Sequence, residues 1–260
     1  GSLVPARVVV MSGNFVELRA KSAYSFGDGT TAPEVLAERA AELGYTAMAL
    51  CDDADLGGLI RFALAAEPKG LKPIAGAELK VGGRPVGLLA RNEVGYRNLS
   101  ALVTEARLGR ARGRSGISFA QLVARNEGLH LLTGPASGEI ASLLLGEKRL
   151  EAHNALSRWK EVFGESRLSI EVQYHHVSGD EAALAQALIE LARRSDTPWV
   201  VTNEPRYLDQ SGRRVYDFQT SLRAGMDDGA ALAAGMLLPS GECNVTSPGE
   251  MESPGRGREA

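Results

Sequence analysis

Carboxylates recur in this sequence where apolar runs stop. Residues 47–50 run into Cys51-Asp52-Asp53-Ala54-Asp55, residues 73–77 into Glu78, and residues 199–202 into Asn203-Glu204. The first apolar stretch, residues 15–18, leads to a polar turn carrying Asp28-Gly29, and His175-His176 follows the run at residues 168–173. Carboxylates and imidazoles gathered at one edge are the donor set that holds divalent metals and activates water beside them. Each group also has a plainer reading. Asp52-Asp53-x-Asp55 begins like a calcium loop but lacks its glycine and distal glutamate. Neighbouring strand residues point to opposite faces, so His175 and His176 cannot both enter one site. Cys51 sits beside carboxylates, which raise a thiol's pKa and make it a poor nucleophile. His130 and His153 belong to no pattern, and Trp159 and Trp199 read as core.

The elements that must position these groups alternate. Thr30-Thr31-Ala32-Pro33-Glu34 reads as a helix start, with threonine as N-cap and Pro and Glu in the first turn. Val35, Leu36, Ala40 and Leu43 give that helix its apolar face, and Gly44 is a C-cap candidate. A second helix spans about residues 56–66. Gly82-Gly83 breaks the chain as a hairpin or tight turn would, before a strand at residues 86–90. Further helices are predicted at 92–107, 118–124, 139–145, 149–163 and 180–194, with strands at 129–133, 168–173 and 199–202. Six or seven strands, mostly separated by helices, predict a parallel βα closure. No Gly-rich phosphate fingerprint follows the first strand, which favours a barrel over an open doubly wound sheet.

The chain of 260 residues fits one α/β barrel or two small domains, and its net charge of −3 gives no global basic field for nucleic acid. The two cysteines, Cys51 and Cys243, are far apart and give neither a disulfide framework nor a metal pair, so a cytoplasmic location is the default expectation. No apolar run approaches the length of a membrane span. Residues 1–14 read as a lead-in, residues 15–225 as the barrel domain and residues 226–260 as an extension in which at least 244–260 is expected to be disordered. Arg107, Arg110, Arg112 and Arg114 lie in a basic, Gly-rich stretch that reads first as a solvated loop and second as a candidate nucleic-acid contact.

Several phrases together resemble the PHP (polymerase and histidinol phosphatase) domain of bacterial DNA polymerase III alpha subunits, especially the error-prone paralogue. They include residues 16–29, where the family has a strand, H-x-H-S-x-Y-S and D-G. Others are Ala37-Glu38-Arg39-Ala40 with Leu43-Gly44-Tyr45, Ala49-Leu50-x-Asp52, Gly70-Leu71-Lys72-Pro73-Ile74-x-Gly76-x-Glu78, and Leu89-Ala90-Arg91-Asn92-Glu93-x-Gly95-Tyr96-Arg97-Asn98-Leu99. Later come Thr133-Gly134, Glu171-Val172-Gln173-x-His175, Val201-Thr202-Asn203 and Tyr216-Asp217-x-Gln219-Thr220-Ser221-Leu222-Arg223-x-Gly225. The resemblance implies a distorted seven-stranded (β/α) barrel of the PHP type. In active members His, Asp and Glu at the strand ends hold divalent metals for phosphoester cleavage.

This sequence departs from that pattern at the ligands. Arg19 and Lys21 stand at the paired histidines, Asp53 replaces the histidine of a D-H strand end, and Arg206 replaces the last histidine. Pro85 and Pro135 fall at two further ligand positions, and Glu204 replaces an aspartate. Asp28, Glu78 and His175 still match, and His175 is expected to keep a hydrogen bond there while His176 is exposed. The resemblance therefore implies a site at the barrel mouth in which Arg19, Lys21 and Arg206 face Asp53, Glu78 and Glu204 as ion pairs, with no cofactor expected. The implied role is a non-catalytic structural or interaction module in DNA replication or repair, its partners being polymerase core domains, replication or repair subunits, or DNA, with no membrane. The alternative is a phosphoesterase with a reduced Mg, Mn or Zn site on Asp28, Asp53, Glu78, His175 and Glu204.

Overall fold

The computed structural model describes residues 15–111, 114–175, 179–238 and 240–252. Seven strands lie side by side in chain order: β1 (Glu17–Ala20), β2 (Ala47–Asp53), β3 (Lys72–Val81), β4 (Arg84–Ala90), β5 (Leu129–Leu132), β6 (Leu168–Gln173) and β7 (Trp199–Thr202). Helices α1 (Pro33–Glu42), α2 (Leu59–Ala66), α3 (Glu93–Arg107), α4 (Phe119–Ala124), α5 (Glu139–Leu145), α6 (Arg149–Phe163) and α7 (Gly179–Arg194) fill the connections, followed by α8 (Arg213–Ala224), α9 (Asp228–Ala233) and α10 (Pro248–Glu252). Among the described residues no helix is long and apolar enough to cross a membrane.

The expected parallel closure holds for six strands and fails at β4, which runs antiparallel to both β3 and β5. The cause is local. Gly82 and Gly83 have φ of +57° and +86°, the left-handed pair that a two-residue hairpin needs, and Val81 pairs directly with Arg84 across it. Pro33 opens α1 as expected, but its N-cap is Ala32, without a side-chain bond, and not a threonine. Helix α4 carries a full capping box between Ser118 and Gln121.

Strand alternation sends one face of the sheet to the helices. Leu79, Leu88, Leu131 and Ile170 pack against Leu99, Leu102, Leu156, Trp159 and Leu188, while Met48 and Leu50 pack against Leu36 and Phe62. The intervening residues turn to the barrel interior, where Ala49, Leu89 and Leu132 form a small apolar cluster. The stretch from residue 244, expected to be disordered, is packed at its start. Val245 is buried in the α1–α2 cluster and the Tyr45 hydroxyl donates to the Thr246 carbonyl at 2.7 Å, so an apolar side chain anchors what composition marked as loose. Residues 1–14, 112, 176 and 253–260, on which other expectations fell, lie outside the described residues.

The barrel's last seam lies between β1 and β7, and a carboxylate spans it. Glu17, fully buried, accepts from its neighbour Arg19 N at 2.7 Å with Oε1 and from Asn203 N, just past β7, at 2.8 Å with Oε2. Lys21 N donates to the Pro205 carbonyl at 3.0 Å beside it. Burial pushes the Glu17 carboxyl up to about 7 against those two amide bonds. A carboxyl raised in the folded state binds its proton more tightly there, so its stabilisation is full below the ordinary value of 4.5 and is lost as pH rises toward 7. Between about pH 5 and pH 8, urea unfolding should show the wild type losing about 2–3 kcal/mol relative to Glu17→Gln. A difference independent of pH would rule this titration out.

Candidate functional site

The mouth is built on a pinned turn. Asp52, buried at the end of β2, accepts from Ser22 N at 2.7 Å, Ser22 Oγ at 2.8 Å and Ser25 Oγ at 2.6 Å. Burial pushes its carboxyl up while those bonds pull it down, with burial the larger. Ser25 Oγ in turn receives Asp53 N at 3.1 Å. The chain then folds so tightly that a side chain at Gly29 would overlap the Ser22 carbonyl. This turn delivers Asp28 to the mouth. On the opposite side Glu204 has φ of +46°, a left-handed conformation that a non-glycine residue adopts at some cost.

Six charged side chains meet there in alternation. Arg19 Nη2 bonds Glu78 Oε2 and lies 3.2 Å from Glu204 Oε1. Lys21 Nζ lies 2.6 Å from Asp28 Oδ2 and 3.4 Å from both Glu78 Oε1 and Glu204 Oε1. Arg206 Nη1 bonds Asp28 Oδ1, and its Nη2 lies 3.0 Å from Glu204 Oε2. All six oxygens of Asp28, Glu78 and Glu204 therefore face a cationic nitrogen. Tyr216 on α8 supports Arg206, its hydroxyl 3.1 Å from Nη1 and its ring centroid 5.9 Å from the guanidinium carbon. Burial alone would push the Glu204 carboxyl up, but Arg206, Lys21 and Arg19 hold it well below the usual range. Burial likewise opposes the Lys21 ammonium, and Glu204, Glu78 and Asp28 outweigh it and keep the amine protonated.

Arg19 is wholly inside the barrel, and β4 makes room for it. A Cβ at Gly87 would overlap Arg19 Nη1 and lie 3.2 Å from Leu132 Cβ. Arg19 Nε lies 3.5 Å from Glu171 Oε1, a contact too long and poorly aimed for a hydrogen bond, and Nε and Nη1 find no hydrogen-bond partner among the described residues. Glu171 is also fully desolvated. Burial raises its carboxyl, opposed by Arg19 and by bonds from Thr202 Oγ1 at 2.7 Å and Gln173 Nε2 at 2.9 Å.

The arrangement departs from expectation at several residues. Asp28, and not Asp53, is the third carboxylate of the network; Asp53 pairs with Glu78 in the sheet, but its Oδ1 is buried without a hydrogen bond. His175 stands outside the network, with Nδ1 3.2 Å from Glu181 Oε1 and Nε2 2.9 Å from the Asn203 carbonyl. Both nitrogens face acceptors, which requires an imidazolium. Burial works against that charge, but Cys243, Glu181 and the Asn203 carbonyl raise the ring to about 11. Cys51 is buried, and burial pushes its thiol up to about 12 despite Arg19 nearby. Arg107 is tied to Asp55, while Arg110 and Arg114 are exposed. Sequence reasoning gave no role to Glu17, Glu171, Tyr216 or the Ser22–Ser25–Asp52 clamp. The polar face of β6, shared by Ser169, Glu171 and Gln173, was the available signal for Glu171.

A divalent metal needs carboxylate lone pairs free of cations and neutral imidazoles. Here the candidate oxygens are taken by Arg and Lys, and the candidate imidazole donates from both nitrogens. Among the described residues no group of three His, Cys, Asp or Glu is disposed to hold an ion. The residues present do not fit a metal cluster.

A family model described as the PHP domain matches residues 17–175. The chain is 36% identical over 253 residues to an error-prone DNA polymerase of Mycobacterium bovis, and 33% identical over 228 residues to the DNA polymerase III subunit alpha of Pseudomonas aeruginosa. These matches take in 91% and 84% of the chain but 23% and 19% of the relatives, so it spans about a fifth of their length. In fold it is similar to an amidohydrolase from Chromobacterium violaceum (TM-score 0.51, 15% identity, 74% of this chain and 87% of that one). A candidate metal-dependent phosphoesterase from Bifidobacterium adolescentis aligns over the same shares with a TM-score of 0.50 and 14% identity. With a family model matching more than half of the chain, and relatives above 30% identity over most of it, the chain belongs to the PHP domain family.

Proposed function

We propose that this chain is a non-catalytic PHP domain of an error-prone, polymerase III alpha-like protein, acting as a structural or interaction module. Its partners would be the polymerase core domains or replication and repair subunits. One observation carries the reading: every oxygen of Asp28, Glu78 and Glu204 is paired with Arg19, Lys21 or Arg206. A metal entering this mouth would have to displace the buried Arg19 and Lys21 and the partly buried Arg206, and at a few ångströms its repulsion from any that stayed would be large. Water activation for phosphoester cleavage would then lack both the ion and a neutral base. What the mouth can do is hold β1, the 22–29 turn, β3 and the segment after β7 in one geometry.

The test is elemental analysis after incubation with Mn²⁺ and Zn²⁺ and desalting, with a phosphoester turnover assay on the same sample. We expect no stoichiometric metal and no turnover. About one tightly held metal per chain, with turnover lost in Glu78→Ala, would establish the phosphoesterase reading instead. The structural role makes a separate claim on stability. Arg19→Met leaves Glu78, Glu204 and Glu171 buried without their shared cation and should cost about 3–5 kcal/mol in urea unfolding. Gly87→Ala, which crowds the same guanidinium without removing charge, should cost about 1–3 kcal/mol. Wild-type stability in both variants would show that the network supports nothing.

A further inference from the structure

The end of the barrel opposite the mouth carries a second concentration of charge. Because β4 runs against its neighbours, Arg91 at its C-terminal end lies with the residues that precede β5 and β6. Arg91, Asn92, Asn126, Glu127, Gly128 and Arg167 line an open cleft of about 440 Å³ there. Arg167 is fixed in place. Its Nη1 donates to the Asn126 carbonyl at 2.8 Å, both Nη atoms lie 3.3 Å from Asn126 Oδ1, Nη2 reaches the Val162 carbonyl at 3.5 Å, and its guanidinium carbon sits 5.7 Å from the Phe163 ring centroid. Arg91 is held through its backbone, its N–H donating to the Gly128 carbonyl at 2.9 Å. Asn92 Oδ1 is used in capping Gly95 N at 2.9 Å, which leaves its side-chain NH₂ as a donor.

These contacts place two guanidiniums without neutralising them. Among the described residues neither Arg91 nor Arg167 makes an ion pair, whereas Arg107, Arg125 and Arg158 each have a carboxylate partner. Glu127 is the single carboxylate among the lining residues and pairs with neither arginine. The two charges also bear on one partly buried ring. His130 on β5, with Nε2 3.0 Å from Ser169 Oγ, is pushed down to about 4 by burial and then by Arg91 and Arg167.

We propose that this cleft is an oxyanion site that takes a phosphate group, supplied either as free phosphate or as a phosphodiester of a nucleic-acid strand. Arg91 suits the group because its guanidinium carries paired N–H donors in a plane that matches two phosphate oxygens, while Arg167, its Nη atoms engaged by Asn126 and Val162, contributes a fixed positive charge. The site lies away from the mouth and does not depend on how the mouth is read.

The test follows the His130 ring by NMR in the full chain, titrated with inorganic phosphate at fixed ionic strength against chloride. Bound phosphate should shift the ring saturably and raise its pKa, since the anion offsets both arginines. Arg91→Gln, at an exposed position, should weaken binding about tenfold or more. Glu127→Gln should tighten it, an effect that loss of a structural contact would not give. A parallel titration with a single-stranded oligonucleotide separates the sources: a response to the oligonucleotide alone, with the same dependence on Arg91 and Glu127, assigns the site to a phosphodiester. No saturable response to either ligand, or one unchanged in both variants, overturns the proposal.

Discussion

A single carboxylate touches all three cations of the mouth. Glu204 lies 3.2 Å from Arg19, 3.4 Å from Lys21 and 3.0 Å from Arg206, and is almost completely buried. Stripping water from any one of these ions is expensive, and the cost is offset only when partners surround it on every side. The backbone at Glu204 accepts a left-handed conformation at the end of β7, which sets its carboxylate among charges arriving from β1 and from the following segment. Remove it, and among the carboxylates of the described residues Arg19 keeps Glu78 and the imperfect contact with Glu171, while Arg206 keeps Asp28.

The same constraint explains features that look separate. Gly87 is small because Arg19 passes beside it. Asp52 keeps the 22–29 turn in place so that Asp28 reaches Lys21 and Arg206 together. Tyr216 carries the network outward to α8, coupling the C-terminal helices to the barrel. A domain organised in this way ties β1, the 22–29 turn, β3 and α8 to one charged centre.

Most of the fold was legible because its signals are local. Apolar runs ending in carboxylates marked the strand ends, Pro33 marked the start of α1, and the double glycine marked the hairpin. What the glycines could not announce was their global effect, the reversal of β4, because direction depends on pairing with β5 some forty residues on. At the site, the meeting of opposite charges from positions 19, 21, 78, 204 and 206 was legible through the family resemblance, which aligns them with its ligand positions. The choice between Asp28 and Asp53 was not, since it turns on where a serine-pinned turn aims one side chain. Glu17 and Glu171 escaped notice because a glutamate in a strand reads as solvent-facing until the barrel closes around it.

The span of the closing contacts bears on how the molecule assembles. β3 and β4 meet through a two-residue turn, but Glu17 and Asn203 are 186 positions apart, and Arg19 and Glu204 are 185 apart. Contacts between such distant segments form only after the intervening chain has given up most of its freedom. Lys21 finds Asp28 only 7 positions away, and Arg19 and Lys21 find Glu78 at 59 and 57, but Glu204, which completes both, comes only with the last strand. Completion of the mouth and closure of the barrel become one step, and a chain halted before it would leave Arg19 and Lys21 without the Glu204 carboxylate they share.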